Sequence, residues 1–300
     1  MADESTPAQP VATSATMVAT RGVVNGGSPA PTAAPRRRKG PDGLKWLSWI
    51  TGGLVYAFLT LPVLVIVLSA FSPESYPQFP PRGFSLRWFD ALLANPAWLS
   101  ALNNSVLLLV IVTPLTVLLG TTAAYALARL DFRGREALLA FVLSPLMIPQ
   151  VVLGIALLYV MAGLGMGGSL VGLAAGHIVV ALPYTVRTAS VSLAAVNRQL
   201  ESASMNLGAS PWYTFRHVTL PLIKPGIVAG AVFAAVTSFG EVSVSLFMSA
   251  PSTITMPVRI FSYVDQTFDP AVNAVSVVFI AIAVIALVVI EKTIGLTKVM

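Results

Sequence analysis

The 300-residue sequence predicts an all-α, polytopic membrane protein, and three observations carry that prediction. Only 10% of the residues are Asp, Glu, Lys or Arg, where a soluble domain carries about a quarter. Apolar types make up 56% of the chain. They gather in uncharged runs at 46–73, 91–128, 137–186 and 270–290, and each run reaches the roughly 20 helical residues needed to cross a hydrocarbon core. The third run is 50 residues long and can cross twice. A water-solvated surface cannot be assembled from such a chain.

The elements follow in order. Residues 1–45 are rich in Ala, Pro, Thr, Ser and Gly and end in Arg36, Arg37, Arg38, Lys39 and Lys45, a composition that predicts a disordered tail. The transmembrane domain takes 46–300. Its first span runs from 46 to about 71, with Trp46 and Trp49 suited to the interface and Pro62 as an internal kink. A signal peptide is the rival reading, because Ala70-Phe71-Ser72 resembles a cleavage site. The apolar stretch is about twice the usual length for one, which favours a retained helix. Pro73, Pro77, Pro80 and Pro81 make 72–100 an aqueous loop. A second span at about 102–128 ends in the charged turn 129–136, and Gly163-Leu164-Gly165-Met166-Gly167-Gly168 divides the long run. That division yields spans three (about 137–161) and four (about 169–192). Spans five and six take about 225–249 and 271–290.

Six spans with the amino terminus inside put 15 of the 18 basic residues on one side and leave Arg82, Arg87 and Arg259 on the other. This is a positive-inside pattern. It predicts cytoplasmic amino and carboxyl ends, with 72–100 and 251–270 outside. It also explains the net charge of +6 without any nucleic acid. The chain has no cysteine and only His177 and His217, so no disulfide, metal site or haem set is expected, and no cofactor. No paired acids or nucleophile-base set stands out, which argues against catalysis by the chain itself.

The loop between spans four and five, at 193–224, has its own pattern. Residues 194–207 have helical composition, and Gly208 suits the left-handed position that closes a helix. Ser210 is a good N-cap with Pro211 as first helical residue, so a second short helix begins at once, and Pro221 is expected to end it. The product is a helix-turn-helix lying beneath the membrane.

Here the chain resembles the transmembrane subunits of binding-protein-dependent ABC importers. Their cytoplasmic loop carries Glu-Ala-Ala, three residues, Gly, nine residues, Ile, any residue, Leu-Pro. In this sequence Gly208 is followed by nine residues and then Val218, Thr219, Leu220 and Pro221. Counting back, the Glu-Ala-Ala falls on Ser202, Ala203 and Ser204, and the nearest carboxylate is Glu201. The resemblance covers about 100–291, including Arg133-Gly134-Arg135, Ser144-Pro145-Leu146-Met147-Ile148-Pro149 and Leu182-Pro183-Tyr184-Thr185-Val186-Arg187. It implies that the hairpin couples to a separate ATPase through Glu201, Ser202, Ala203, Gly208, Leu220 and Pro221. The chain has no Gly-rich phosphate loop with Gly-Lys-Ser/Thr and is not itself read as the ATPase. Expected partners are a second homologous permease, two ATPase subunits, a periplasmic solute-binding protein and membrane lipid. The expected location is the bacterial inner membrane.

Glu241 is the only carboxylate well inside an apolar span. An ionised acid there costs on the order of 3 kcal/mol on insertion scales, so such residues usually face a cavity or a partner. Thr237, Ser238, Ser245 and Ser249 recur near it at helical spacing. The stripe can line a translocation path, or Glu241 can hold two helices together. Ser238-Phe239-Gly240-Glu241 and Thr255-Met256-Pro257-Val258-Arg259-Ile260-Phe261-Ser262-Tyr263 are similar to the polyamine (spermidine/putrescine) branch of the family, whose cationic solutes suit an acidic wall. Gln150 and Tyr184 are further lining candidates that helix packing explains equally well, and His177 reads as a hydrogen-bonded packing residue. The alternatives are a permease for another small organic solute and an ion-coupled secondary transporter with Glu241 as proton carrier.

Overall fold

The computed structural model describes residues 42–76, 78–267 and 269–294. The expected tail therefore lies, up to residue 41, outside the described residues. The described residues form helices joined by turns and loops, with a single isolated bridge between Gly168 and Ser249. The chain divides into two units, Met1–Leu54 and Val55–Met300. The described part of the first is the leading half of α1 (Asp42–Ser69), which starts four residues before the expected Trp46. Its side chains from 45 to 64 are all exposed. Leu, Val and Phe facing outward along such a length need hydrocarbon around them rather than water.

In the second unit, the proline-rich loop contains a short amphipathic helix, α2 (Arg87–Ala94), which buries Trp88 and Leu92. Asn95 then caps α3 (Pro96–Arg129), its side chain accepting from Ala97 N, with Pro96 at the first helical position. The second span thus starts earlier than the expected 102. After the left-handed Gly134 come α4 (Arg135–Leu143), a 3₁₀ turn (Ser144–Leu146) and α5 (Gln150–Gly163). The two arms Arg135–Leu146 and Gln150–Gly163 meet at 110°. Span three, expected as one crossing at about 137–161, is a sharply broken pair. Pro149 lacks the N–H that would carry a helix across the break. Among the described residues, five helices are long and apolar enough to cross a membrane, or six with this pair counted as one.

Ser169 caps α6 (Leu170–Ala195), its Oγ accepting from Gly172 N at 3.0 Å. This helix is the centre of the unit, with 56% of its apolar window buried, against 28% for α3 and 11% for the last helix. The hairpin follows as α7 (Arg198–Asn206) and α8 (Pro211–Thr214), then a π-helical turn (Phe215–Thr219) and α9 (Leu220–Phe239). Pro221 does not end the second hairpin helix, as the sequence led us to expect. Leu220 N donates to Phe215 O, five residues back, and this widened turn carries the helix past the proline, which sits in the first turn of α9. One continuous run, Pro211–Phe239, therefore joins hairpin to membrane.

A Cβ on Gly226 would stand 2.2 Å from Ser192 Oγ, and one on Gly230 2.9 Å from Thr185 Cγ2. α6 and α9 hence approach almost backbone to backbone, the usual packing of small residues in lipid. After α10 (Ser243–Met248) the chain forms α11 (Met256–Gln266) and α12 (Ala271–Ile294). The segment before α11 is fastened to α3: Asn104 Nδ2 donates to Ser252 O and Ile254 O, both at 3.0 Å, and Ser105 Oγ accepts from Met256 N at 2.8 Å.

Candidate functional site

The hairpin is built from local rules. Asn197 caps α7, its Oδ1 accepting from Gln199 N at 2.9 Å. At the other end Gly208 has φ +90°. Ala209 N donates to Ser204 O and Gly208 N to Met205 O, the paired bonds of a Schellman close. Nothing lies within 4 Å of a Cβ built on Gly208, so the backbone conformation alone demands glycine there. Ser210 Oγ then accepts from Tyr213 N at 3.2 Å and opens α8. Ser204 and Thr214 hydroxyls meet at 3.0 Å and clamp the two arms.

The root of the hairpin is tied to α3. Arg129 Nε lies 2.8 Å from Glu201 Oε2, with side-chain exposures of 10% and 12%. Thr219 Oγ1 donates to Glu201 Oε1 at 2.7 Å, and Arg129 Nη2 donates to Leu193 O. One buried carboxylate thus joins the end of α3, the first hairpin helix and the π-turn. Of the six residues expected to couple, Ser202, Ala203, Gly208 and Pro221 are exposed and Leu220 is half-buried, while Glu201 turns inward. Leu207, which the sequence reading passed over, is the most exposed apolar side chain of the hairpin at 89%. Arg129 and Thr219 were also missed; a lone carboxylate in a basic loop was the available signal that Glu201 needs a cation.

The expected polar stripe requires a helix continuous to Ser249, and there is none. α9 stops at Phe239, and α10 begins only at Ser243. Glu241 stands in the break, 5% exposed, with Oε1 accepting from Val244 N at 2.8 Å. Its carboxylate thereby takes up a donor that the new helix leaves free. Ser238 and Ser245 fall on opposite sides of the break, and both reach His177 of α6: Ser238 Oγ is 3.0 Å from Nδ1, Ser245 Oγ 2.8 Å from Nε2. All three are buried. In a neutral imidazole one of these hydroxyls donates and the other accepts. His177 is the hydrogen-bonded packing residue the sequence predicts, and it staples the two pieces of span five.

Gln150 and Tyr184 are not joined to Glu241 by any hydrogen bond among the described residues. Gln150 is exposed at the head of α5. Tyr184 stacks on Phe233, with centroids 6.0 Å apart, and the two rings line a groove that also holds Arg187.

Comparison with known proteins agrees with this architecture. Residues 116–294 match the family described as "Binding-protein-dependent transport system inner membrane component". The spermidine/putrescine transport system permease protein PotC of Haemophilus influenzae is 31% identical over 241 residues, 80% of this chain and 93% of that protein. The putrescine transport system permease protein PotI of Escherichia coli is 30% identical, covering 74% of this chain and 82% of its own. A putative 2-aminoethylphosphonate transport system permease protein, PhnV of Salmonella paratyphi A, is 30% identical over 84% of this chain and 95% of its own. Among solved structures, a bacterial ABC transporter involved in import of the acidic polysaccharide alginate superposes with a TM-score of 0.69 at 15% identity, covering 86% of this chain and 99% of that one. The likeness at that identity shows the fold. With the family match spanning more than half its length, this chain belongs to the binding-protein-dependent inner-membrane transport components, the permeases of ABC importers.

Proposed function

We propose that the chain is the transmembrane permease subunit of an ATP-driven importer carrying a small organic cation, a polyamine such as putrescine or spermidine, into the cell. The observation that supports this best is the hairpin. Ser202, Ala203, Leu207 and Gly208 offer an exposed, uncharged surface, while Glu201 anchors the root beneath it to Arg129. A groove in a separate ATPase subunit takes that surface. Because the root is fixed and α8 runs on into α9, closure of the ATPases turns α3 and α9 with the hairpin instead of bending a loose loop. Hydrolysis belongs to two such subunits, a second homologous permease completes the path, and a periplasmic binding protein delivers the solute. The distribution of 15 of 18 basic residues supports a cytoplasmic hairpin and cytoplasmic chain ends.

The relatives named for spermidine and putrescine support the solute class, and an acidic group in an apolar span suits a cation. The path passes the break at 240–242, where Glu241 is covered in this conformation; movement of the short α10 uncovers it. Ser238 and Ser245 flank that point, and Gln150 and Tyr184 are the wall candidates further along. The PhnV relative favours a second reading, a permease for another small amine-bearing solute. The family match, to binding-protein-dependent transport components, disfavours a proton carrier.

The test is purification with co-purifying subunits, followed by reconstitution and uptake of labelled putrescine. ATP-dependent uptake that needs the ATPase and the binding protein is expected. Competition by spermidine but not by 2-aminoethylphosphonate selects the first reading over the second. Uptake by the chain alone, driven by a proton gradient, overturns both.

A further inference from the structure

Where the charged turn at 129–136 meets the hairpin, a cavity of about 400 Å³ opens between α3, α4, α6 and the start of α7. Its wall divides by chemistry. Arg129, Arg135 and Arg198 supply three guanidinium groups, and Leu127, Leu139 and Leu193 supply an apolar side. Arg129 is neutralised by Glu201 at 2.8 Å. Among the described residues Arg135 pairs with Asp131, 3.9 Å away, whose side chain is 96% exposed, and such a solvated pair contributes little. Arg198 donates to the carbonyl of Ala128, a neutral acceptor. Two cations therefore face the cavity with no buried counter-charge among the described residues.

The apolar side decides what kind of anion fits. Arg135 and Leu139 lie one turn apart on the same face of α4. Leu138 and Phe141 of the same helix are exposed, Phe141 by 76%, which sets α4 against hydrocarbon rather than water. A free phosphate would meet the guanidinium groups and leave Leu139, exposed on α4, bare. A molecule with an anionic head and an apolar chain engages both, and the end of a spanning helix is where a leaflet presents one.

We propose that this cavity binds the phosphate headgroup of an anionic phospholipid, with an acyl chain lying along Leu139. The proposal needs only the membrane fold, and stands apart from the solute and the ATPase. Native mass spectrometry of the purified full-length chain, titrated with phosphatidylglycerol or phosphatidylcholine of matched acyl chains, tests it. The wild type should retain phosphatidylglycerol preferentially, and Arg135→Gln should reduce that retention on the order of fivefold, the contribution of one arginine at an anionic surface. Phosphatidylcholine retention should not change in that variant. Arg135→Lys, which keeps the charge, should preserve the preference, and Arg133→Gln, outside the cavity, should leave it intact. Leu139→Gln should weaken both lipids together. Equal retention of the two lipids by the wild type overturns the proposal, as does an unchanged preference in Arg135→Gln. Displacement of the lipid by millimolar glycerol phosphate would make the cavity a soluble-anion site and overturn it too.

Discussion

Replacing Glu201 with Gln removes one charge from the tie at the root of the hairpin while keeping its shape and its acceptor for Thr219. Arg129 then loses its counter-ion at 2.8 Å. A charge-assisted hydrogen bond contributes about 1.5–3 kcal/mol, and removing one partner of a fully buried pair costs about 3–5 kcal/mol. Side-chain exposures of 10% and 12% let some water reach the pair, so the lower part of that span applies, about 2 kcal/mol. That corresponds to roughly a 30-fold rise in opening of the hairpin root. Amide hydrogen exchange across 198–219, measured in the complete purified transporter, reads the opening directly. Exchange in α7 should accelerate by that order, and ATP consumed per solute transported should rise because the hairpin no longer turns α3 rigidly. Arg129→Gln combined with Glu201→Gln should exchange more slowly than Glu201→Gln alone, since the uncompensated charge has gone. Exchange unchanged within threefold, or strictly additive effects in the double variant, would refute a load-transmitting tie.

Gly208→Val places a β-branched residue at φ +90°, a strain of about 1 kcal/mol or more; membrane insertion should be normal, with ATPase association and uptake lost in pull-down and transport assays. Reporter fusions near residues 85 and 262 should be active as periplasmic enzymes, and fusions near 210 inactive; an active periplasmic reporter near 210 reverses the topology. Glu241→Gln keeps the acceptor for Val244 N but not the charge, so uptake of a cationic solute should fall several-fold while ATPase association persists, and Glu241→Asp should retain part of it. Burial first, and then the hydrogen bond and charge of Asp269, push the Tyr263 phenol up to about 12. The protonated form is therefore favoured in the fold: its contribution is complete below about pH 10 and lost as pH climbs through 12, and ultraviolet titration should show the late transition disappear in Tyr263→Phe.

The spans and the hairpin turn could be read from the sequence because each follows from local composition or spacing. A run such as 270–290 has nowhere to go but hydrocarbon, and Gly208, Ser210 and Pro211 each satisfy a backbone demand within a few residues of themselves. The break after Phe239 was hidden for the opposite reason. An average over 20 residues does not register three that leave the helix, and Gly240-Glu241 reads as one small and one costly residue in an apolar stretch. Pro221 misled because the rule that proline ends a helix assumes an unbroken α register, and the π-turn at Phe215–Thr219 removes that assumption. The decisive side-chain pairs are farther still: Arg129 and Glu201 are 72 residues apart, and His177 reaches partners 61 and 68 residues away.

Ser238 and Ser245 carry the general point. Seven residues apart, they fit one helical face, and from spacing alone that face could border water or another helix. In the fold they sit on separate pieces, and both hydroxyls are taken up by one imidazole. In lipid a polar group gains by finding a partner inside the protein; Ser238 and Ser245 have one, whereas the buried Ser249 hydroxyl has none among the described residues, so a polar stripe in a span does not by itself signal a path. Glu241 is the member whose ionisable group is left to explain: it spends one oxygen on Val244 N, a bond that a neutral Gln could accept equally well. The comparison of Gln with Asp at this one position therefore separates a cap from a wall of the path.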